Sequence, residues 1–201
     1  MLSQKADGCG RLIYAHYKGQ TSAEIIQRDD GWFDVSAGAP AYFAPFEKWP
    51  SVQRRAIRQV RGRVLDVGCG AGRVALHLQG RGHDVVAIDI SPLAVKTCLL
   101  RGVRDARVCP ITRVSRRLGE FDTIVMLGNN FGLFGNPRRA RWLLKRFHTL
   151  TSPTAPITGQ VMQAVQKGAD PEGLRTSRIR WDRLNRPKDP RSAGWRIRRM
   201  T

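Results

Sequence analysis

The sequence predicts an α/β fold, with a doubly wound, mostly parallel sheet covered by helices on both faces. Three observations point there. Val64-Leu65-Asp66-Val67-Gly68-Cys69-Gly70-Ala71-Gly72-Arg73 reads as a strand, a glycine turn and the start of a helix. Asp84 to Asp89 follows as a second valine-rich strand that ends on an acid. Phe121-Asp122-Thr123-Ile124-Val125-Met126-Leu127 is a nearly continuous apolar run, the pattern of a strand buried on both faces. Strands alternating with helical patterns imply parallel pairing through crossover connections.

The elements follow in order. Residues 1–60 are read as an N-terminal cap or lid. It holds a hairpin around the Asp30-Gly31 turn, with apolar runs on both sides. An aromatic cluster follows at Tyr42-Phe43 and Phe46 to Trp49, then a helix from Ser51 to Val60 with a basic outer face. Residues 61–167 form the sheet unit. Its first helix, Gly72 to Arg81, has Ala75, Leu76 and Leu78 inward and ends at Gly80 and Gly82. Ser91 caps the second helix, with Pro92 in its first turn and Leu93, Val95, Leu99 and Leu100 as apolar positions. Ala106 to Cys109 is a short third strand. Pro137 opens a helix to Leu150 with Trp142, Leu143, Phe147 and Leu150 inward, and Ile157 to Val165 is a weaker fifth strand. Residues 168–201 form a basic tail, dense in Arg and expected to be disordered or draped on the surface.

With 201 residues, of which 41% are hydrophobic, the chain can bury one sizeable core. No opening apolar stretch resembles a signal peptide, and no run approaches the ~20 apolar residues of a membrane span, so a cytoplasmic location is expected. Cys9, Cys69, Cys98 and Cys109 show no Cys-x-x-Cys pairing and no histidine at metal spacing; reduced thiols and no metal are expected. The net charge of +19 invites a nucleic-acid partner. Arginine is spread along much of the chain, however, and aromatics are not interleaved with it as an RNA-stacking platform requires.

The glycine spacing selects the ligand class. A dinucleotide fingerprint would put its third glycine at position 73, which is Arg, and an apolar residue where Asp66 stands. An NAD(P) oxidoreductase is therefore disfavoured. A carboxylate such as Asp89, ending the second strand, accepts hydrogen bonds from both hydroxyls of a ribose.

The Asp66-x-Gly68-x-Gly70-x-Gly72 run resembles the first motif of class I S-adenosylmethionine (SAM) methyltransferases. The resemblance extends from about Ala23 to Ser152. It covers Arg28-Asp29-Asp30-Gly31, Tyr42-Phe43-Ala44-Pro45-Phe46-Glu47-Lys48-Trp49, Gly62 to Arg73, and Leu127-Gly128-Asn129-Asn130, as in a bacterial small-molecule branch. It implies a Rossmann-like sheet, SAM as cofactor, and Asp66, Gly68, Gly70, Gly72, Asp89, Ile90, Ile111, Asn129 and Asn130 around it. Asp66 would face the methionine moiety, and the glycines would let the cofactor lie against the backbone. Asn129 and Asn130 do not spell the Asn-Pro-Pro-Tyr of amino-group DNA methyltransferases. As loop residues they serve equally as a turn.

Two departures stand out. Val108-Cys109-Pro110-Ile111-Thr112 carries no carboxylate for the adenine amino group, leaving backbone near Ile111. The family's closing antiparallel strands are expected to be missing, with Trp195-Arg196-Ile197-Arg198 the one strand-like stretch in the tail. Three functions stay open: methyl transfer to a small molecule, RNA methylation, and SAM binding without catalysis by a truncated protein. No catalytic residue is assigned. Tyr14, His16, Tyr17, Tyr42 and His148 are candidates to take a proton. Tyr14, His16 and Tyr17 are read as a lid over the crevice, while His77 and His148 are read as surface or packing residues on helices.

Overall fold

The computed structural model describes residues 7–20, 25–28, 33–35, 38–152, 155–159 and 195–198. Five strands form one all-parallel sheet: β3 (Val64–Val67), β4 (Val85–Asp89), β5 (Ala106–Val108), β6 (Thr123–Met126) and β7 (Ile157–Gly159), in the order β5-β4-β3-β6-β7. This is the doubly wound sheet expected from the alternating pattern. The chain reverses its direction of travel across the sheet at β3. The carboxyl ends of β3, β4 and β6 therefore open one crevice at a switch point.

The strands read as apolar runs because both faces are covered. Val64, Val85, Ala87 and Val125 pack against Ala75 and Leu78 of α4 (Arg73–Gly80), Cys98 of α5 (Pro92–Leu100), and Ala56 and Ile57 of α3 (Ser51–Ile57). Leu65, Val67, Val86, Ile88, Ile124 and Met126 face the opposite layer, with Leu143 and Phe147 of α6 (Pro137–His148). The alternation has the period of two that a pleated strand dictates, and it puts Asp66 on the α4 face.

Helix packing corrects two expected faces. Ala94, Val95, Thr97 and Cys98 form the buried stripe of α5, and Leu99 and Leu100 are exposed. On α6, Leu143 and Phe147 are buried but Trp142 is 42% exposed, its ring beneath the Arg146 guanidinium (4.9 Å). Both outcomes follow from helical spacing: a stripe at i, i+3 and i+4 leaves the intervening large residues outside. Ser91 does cap α5, its Oγ accepting from the Ala94 amide (2.9 Å).

The hairpin is present as β1 (Ile25–Arg28) and β2 (Phe33–Val35), paired antiparallel with Ile25 opposite Val35. Trp195–Arg198 forms β8, but not beside the main sheet. It pairs antiparallel with β1, Arg28 opposite Trp195, and completes a separate three-stranded sheet, β2-β1-β8. The rest of the basic tail, the tip of the hairpin turn and the extension of the fifth strand to Val165 lie outside the described residues. Ahead of the hairpin the chain forms α1 (Gly8–Tyr17), a helix that the Gly8-Cys9-Gly10 opening did not signal. Between hairpin and sheet lie α2 (Pro40–Phe43), a helical turn at Phe46–Lys48, and α3. Among the described residues, no helix is long and apolar enough to cross a membrane, and no cluster of His, Cys, Asp or Glu could hold a metal ion.

Candidate functional site

Backbone bonds fix the start of the turn after β3 to the neighbouring strand: the Gly68 and Cys69 amides donate to the Ile88 carbonyl (2.8 and 3.1 Å). Gly68 and Gly70 both sit at positive φ (76° and 55°), where a side chain is strained. The space a Cβ would take is filled by protein. At Gly68 it would lie 2.4 Å from the Asn130 amide, and at Gly70 3.0 Å from the Tyr42 ring. At these two positions the missing side chain makes room for Asn130 and for the cap.

Under this turn Asp66 is 2% exposed, and its Oδ2 has no hydrogen-bond partner. Burial pushes its carboxyl up to about 7, and the nearby Asp89 charge adds to this. Arg73 and the Ala75 backbone amide, one of the free donors of the first turn of α4, pull the other way. A buried carboxylate oxygen without a partner is costly, and it suits a site that awaits a donor.

Asp89 ends β4 and is held on both oxygens. Oδ2 accepts from the Gly70 amide (3.0 Å) and Oδ1 from the Ser91 amide (2.9 Å). Its carboxyl is raised, chiefly by burial, while those two amides oppose the shift. The two oxygens keep lone-pair capacity beyond these bonds. Ile90, the next residue, is 48% exposed, an apolar side chain left open beside the carboxylate.

Asp7 was not foreseen. Its Oδ1 accepts from the Gly10 amide (3.0 Å), which caps α1. Its Oδ2 accepts from Ser91 Oγ (2.9 Å) and the Leu93 amide (3.2 Å) at the start of α5. One buried carboxylate thus serves the N-termini of two helices, where free amides and the dipole favour it. The signal lay in Asp7-Gly8-Cys9-Gly10, an Asx cap three residues ahead of a donor. Gly10 is the close point: its Cβ would meet Ser91 Oγ at 2.1 Å.

This tether corrects the expected lid. α1 starts at Ser91 and runs down α5, so Tyr17 Oη donates to the Leu100 carbonyl (3.4 Å) and the Tyr14 ring lies by Lys96 (5.0 Å). Both tyrosines lie along α5, not over the crevice. His16 packs on Phe43 (4.8 Å). His148 is exposed at the far end of α6. His77 stacks on Phe46 (4.0 Å, 10°), a packing role, and burial lowers its pKa. Of the proton-accepting candidates only Tyr42 touches the glycine turn.

Opposite lies the turn after β6. Asn129 adopts a left-handed backbone (φ 72°). Asn130 Nδ2 donates to the Val67 and Gly68 carbonyls (3.0 and 2.7 Å), so its amide braces the first turn. The Ile111 side chain is buried in the α6-side core, which leaves its backbone alone for any ligand contact. Cys69 and Cys98 are buried with their sulfurs 3.5 Å apart; Cys9 and Cys109 are half-buried, and all four are free thiols.

Comparison with known proteins decides the family. Residues 64–154 match the family described as "Methyltransferase domain". The structure superposes, with a TM-score of 0.73 and 32% identity, on a SAM-dependent methyltransferase from Bacteroides fragilis in complex with S-adenosyl-L-homocysteine (SAH), covering 80% of this chain and 66% of that one. Residues 64–154 therefore belong to the methyltransferase-domain family, on the Rossmann-like fold of the class I SAM-dependent methyltransferases. Magnesium-protoporphyrin O-methyltransferase from Rhodobacter capsulatus is 31% identical over 129 residues, 52% of this chain and 57% of that protein. A 2-heptyl-1-hydroxyquinolin-4(1H)-one methyltransferase from Mycobacteroides abscessus is 36% identical over 75 residues, 33% of this chain and 32% of that protein. The chain spans less than two thirds of the length of each. The methyltransferase domain begins at the first residue of β3 and contains all the crevice elements of β3 to β6.

Proposed function

We propose that the protein transfers a methyl group from SAM to a small-molecule acceptor. The observation that carries this is the pairing of a buried Asp66 carboxylate, one oxygen of which has no hydrogen-bond partner, with Asp89 at the ends of adjacent parallel strands, around one glycine turn. In this reading the cofactor, when bound, supplies a methyl already activated on a sulfonium. Asp89 receives the two ribose hydroxyls with the lone pairs its amide bonds leave free. Ile90 covers an apolar face of the adenine, and backbone near Ile111 meets the adenine edge. Asp66 gives negative charge to the cationic end. Gly68, Gly70 and Gly72 hold the turn, with Asn130 as its brace and Asn129 beside the transfer point.

Alignment of acceptor, methyl and sulfur is then the main task of the protein, as expected for an in-line displacement with a reactive donor. Tyr42, lying against Gly70, borders the acceptor side. No base is assigned. A cytoplasmic setting goes with this reading, and the divisions at 60/61 and 167/168 separate cap, methyltransferase unit and tail.

The test is calorimetric titration of SAM and SAH into wild type and Asp89→Ala. Micromolar binding that is lost in the variant supports the reading. A folded wild type that binds neither would remove it. RNA methylation would instead require salt-sensitive RNA binding, and its absence at low salt excludes that alternative.

A further inference from the structure

The helix α6 carries cations along one exposed face. Arg138, Arg141, Trp142 and Lys145 recur at the spacing of helical neighbours (i, i+3, i+4, i+7) and are all exposed, while Leu143 and Phe147 hold the opposite face in the core. At the end of this stripe lies an open pocket of about 290 Å³, bordered by Trp142, Lys145, Arg146 and Arg116. Its two guanidiniums are fixed by backbone carbonyls. Arg146 Nε and Nη2 donate to the Val114 carbonyl (3.1 and 2.9 Å), with Cζ 4.9 Å from the Trp142 ring centre. Arg116 Nε donates to the Thr149 carbonyl (3.0 Å). A guanidinium has five N–H donors, so both keep donors for an anion. The pocket stands apart from the crevice: Thr151, just beyond Thr149, pairs with Phe121 ahead of β6, at the amino ends of the strands.

Among the described residues no acid balances this charge. From residue 111 to 150 the sequence has eight Lys or Arg against two acids, Glu120 and Asp122. The described ion pairs, Arg63–Asp84 and Arg107–Asp105, involve none of the α6 cations. Arg138 and Arg139 also stand at the positive end of α6, with no acid in its first turn, where cations weaken a helix. A phosphodiester chain relieves both the mutual repulsion and the dipole. We infer that this face of α6 docks a single-stranded nucleic acid, with a base against the Trp142 ring and successive phosphates along Lys145, Arg141 and Arg138. An exposed aromatic ring among arginines suits an unstacked base. The apolar side of α6 is spent on the core, which leaves no apolar helix face to sink into a lipid surface. The sequence spreads arginine and separates it from aromatics; folding brings Arg116 and Trp142 to one pocket. That pocket lies at the other end of the sheet from Asp66 and Asp89, so a strand held there is a docked partner and not the methyl acceptor.

The test is fluorescence anisotropy of a short, labelled single-stranded RNA titrated with the full chain across a salt series. Wild type should bind it more tightly than a duplex of the same sequence, with a log–log salt slope of about −3 for about four phosphate contacts. Trp142→Leu should weaken the single strand about tenfold and the duplex less than about twofold. Arg141→Gln combined with Lys145→Gln should weaken both and make the slope shallower by about 1. These side chains are exposed, so the melting temperature and SAH titration of each variant should match wild type, which separates lost docking from lost folding. A folded wild type without RNA affinity at low salt overturns the inference. So does undiminished affinity in both variants, which would put the binding elsewhere on the chain. Binding of phosphatidylglycerol vesicles but not of RNA would assign the face to a lipid surface instead. Inorganic polyphosphate bound as tightly as RNA, with no loss in Trp142→Leu, would leave a bare charge surface; either result also overturns it.

Discussion

The turn after β3 and the turn after β6 face each other across the crevice, and both are built from small residues at positive φ. They differ in what they present. The β3 side gathers Asp66, Asp89 and Arg73, three ionisable groups shifted by burial. The β6 side presents Gly128, Asn129 and Asn130, which carry no charge, and Asn130 spends its amide on the opposite turn. One side holds the groups that would recognise a ligand, and the other holds that side in shape. Under the function proposed above, uncharged braces suit a place where a sulfonium would meet its acceptor, since a fixed charge there would compete with the reacting atoms.

The largest effect expected from separating the two sides is at Asp89. Asp89→Ala should weaken SAH binding about 100-fold or more, because two charge-assisted hydrogen bonds go together; calorimetry reads it. Asp66→Asn comes next and should move binding and stability in opposite directions. The wild-type carboxyl rises from 3.8 to about 7 on folding. Between those values the folded state binds more protons than the unfolded one, so stability falls as pH rises from about 4 to about 7. Asp66→Asn removes that slope and should melt several degrees higher than wild type at pH 8, yet bind SAH about tenfold more weakly. Wild-type affinity for SAH should in turn rise with pH through about 7 as the carboxylate ionises. A flat pH profile would place the charge elsewhere.

Asn130→Ala tests the brace. It should cost about 1–3 kcal/mol in chemical denaturation by leaving two carbonyls unpaired, and weaken SAH only severalfold. If SAH binding fell as far as in Asp89→Ala, Asn130 would belong with the recognition groups and the contrast between the sides would fail. The smallest effect belongs to Asn129→Gly. Relieving a left-handed backbone should shift stability by less than about 1 kcal/mol.

The β3 side was legible in the sequence because its chemistry is local: a strand, a fixed glycine spacing and an acid at the end of the next strand. The parallel sheet was legible for the same reason, from apolar runs that both faces of a sheet require. What was not legible depends on partners distant in sequence. Asn130 reads as turn chemistry until Val67 and Gly68 are seen beside it. Asp7 and α1 precede any periodic pattern, and their stabilising contact, at Ser91, lies far along the chain. Trp195–Arg198 was recognisable as a strand, but its choice of β1 over the main sheet is set by pairing that no local pattern encodes. Trp142 was misjudged because a large apolar residue beside a buried stripe looks inward until the helix phase is fixed.

The carboxylate of Asp7 has a consequence for how the molecule breathes. Because the same oxygen that receives Ser91 Oγ also receives the Leu93 amide, α1 cannot detach without freeing the Leu93 amide and the Ser91 hydroxyl at the head of α5. Ser91 in turn donates its amide to Asp89. Fraying of the first helix is thereby transmitted within two hydrogen bonds to Asp89, and α1, the head of α5 and the end of β4 should open as one cooperative unit. In hydrogen exchange, the amides of Gly10, Leu93 and Ala94 would share one opening free energy, and a ligand held at Asp89 would slow all three together.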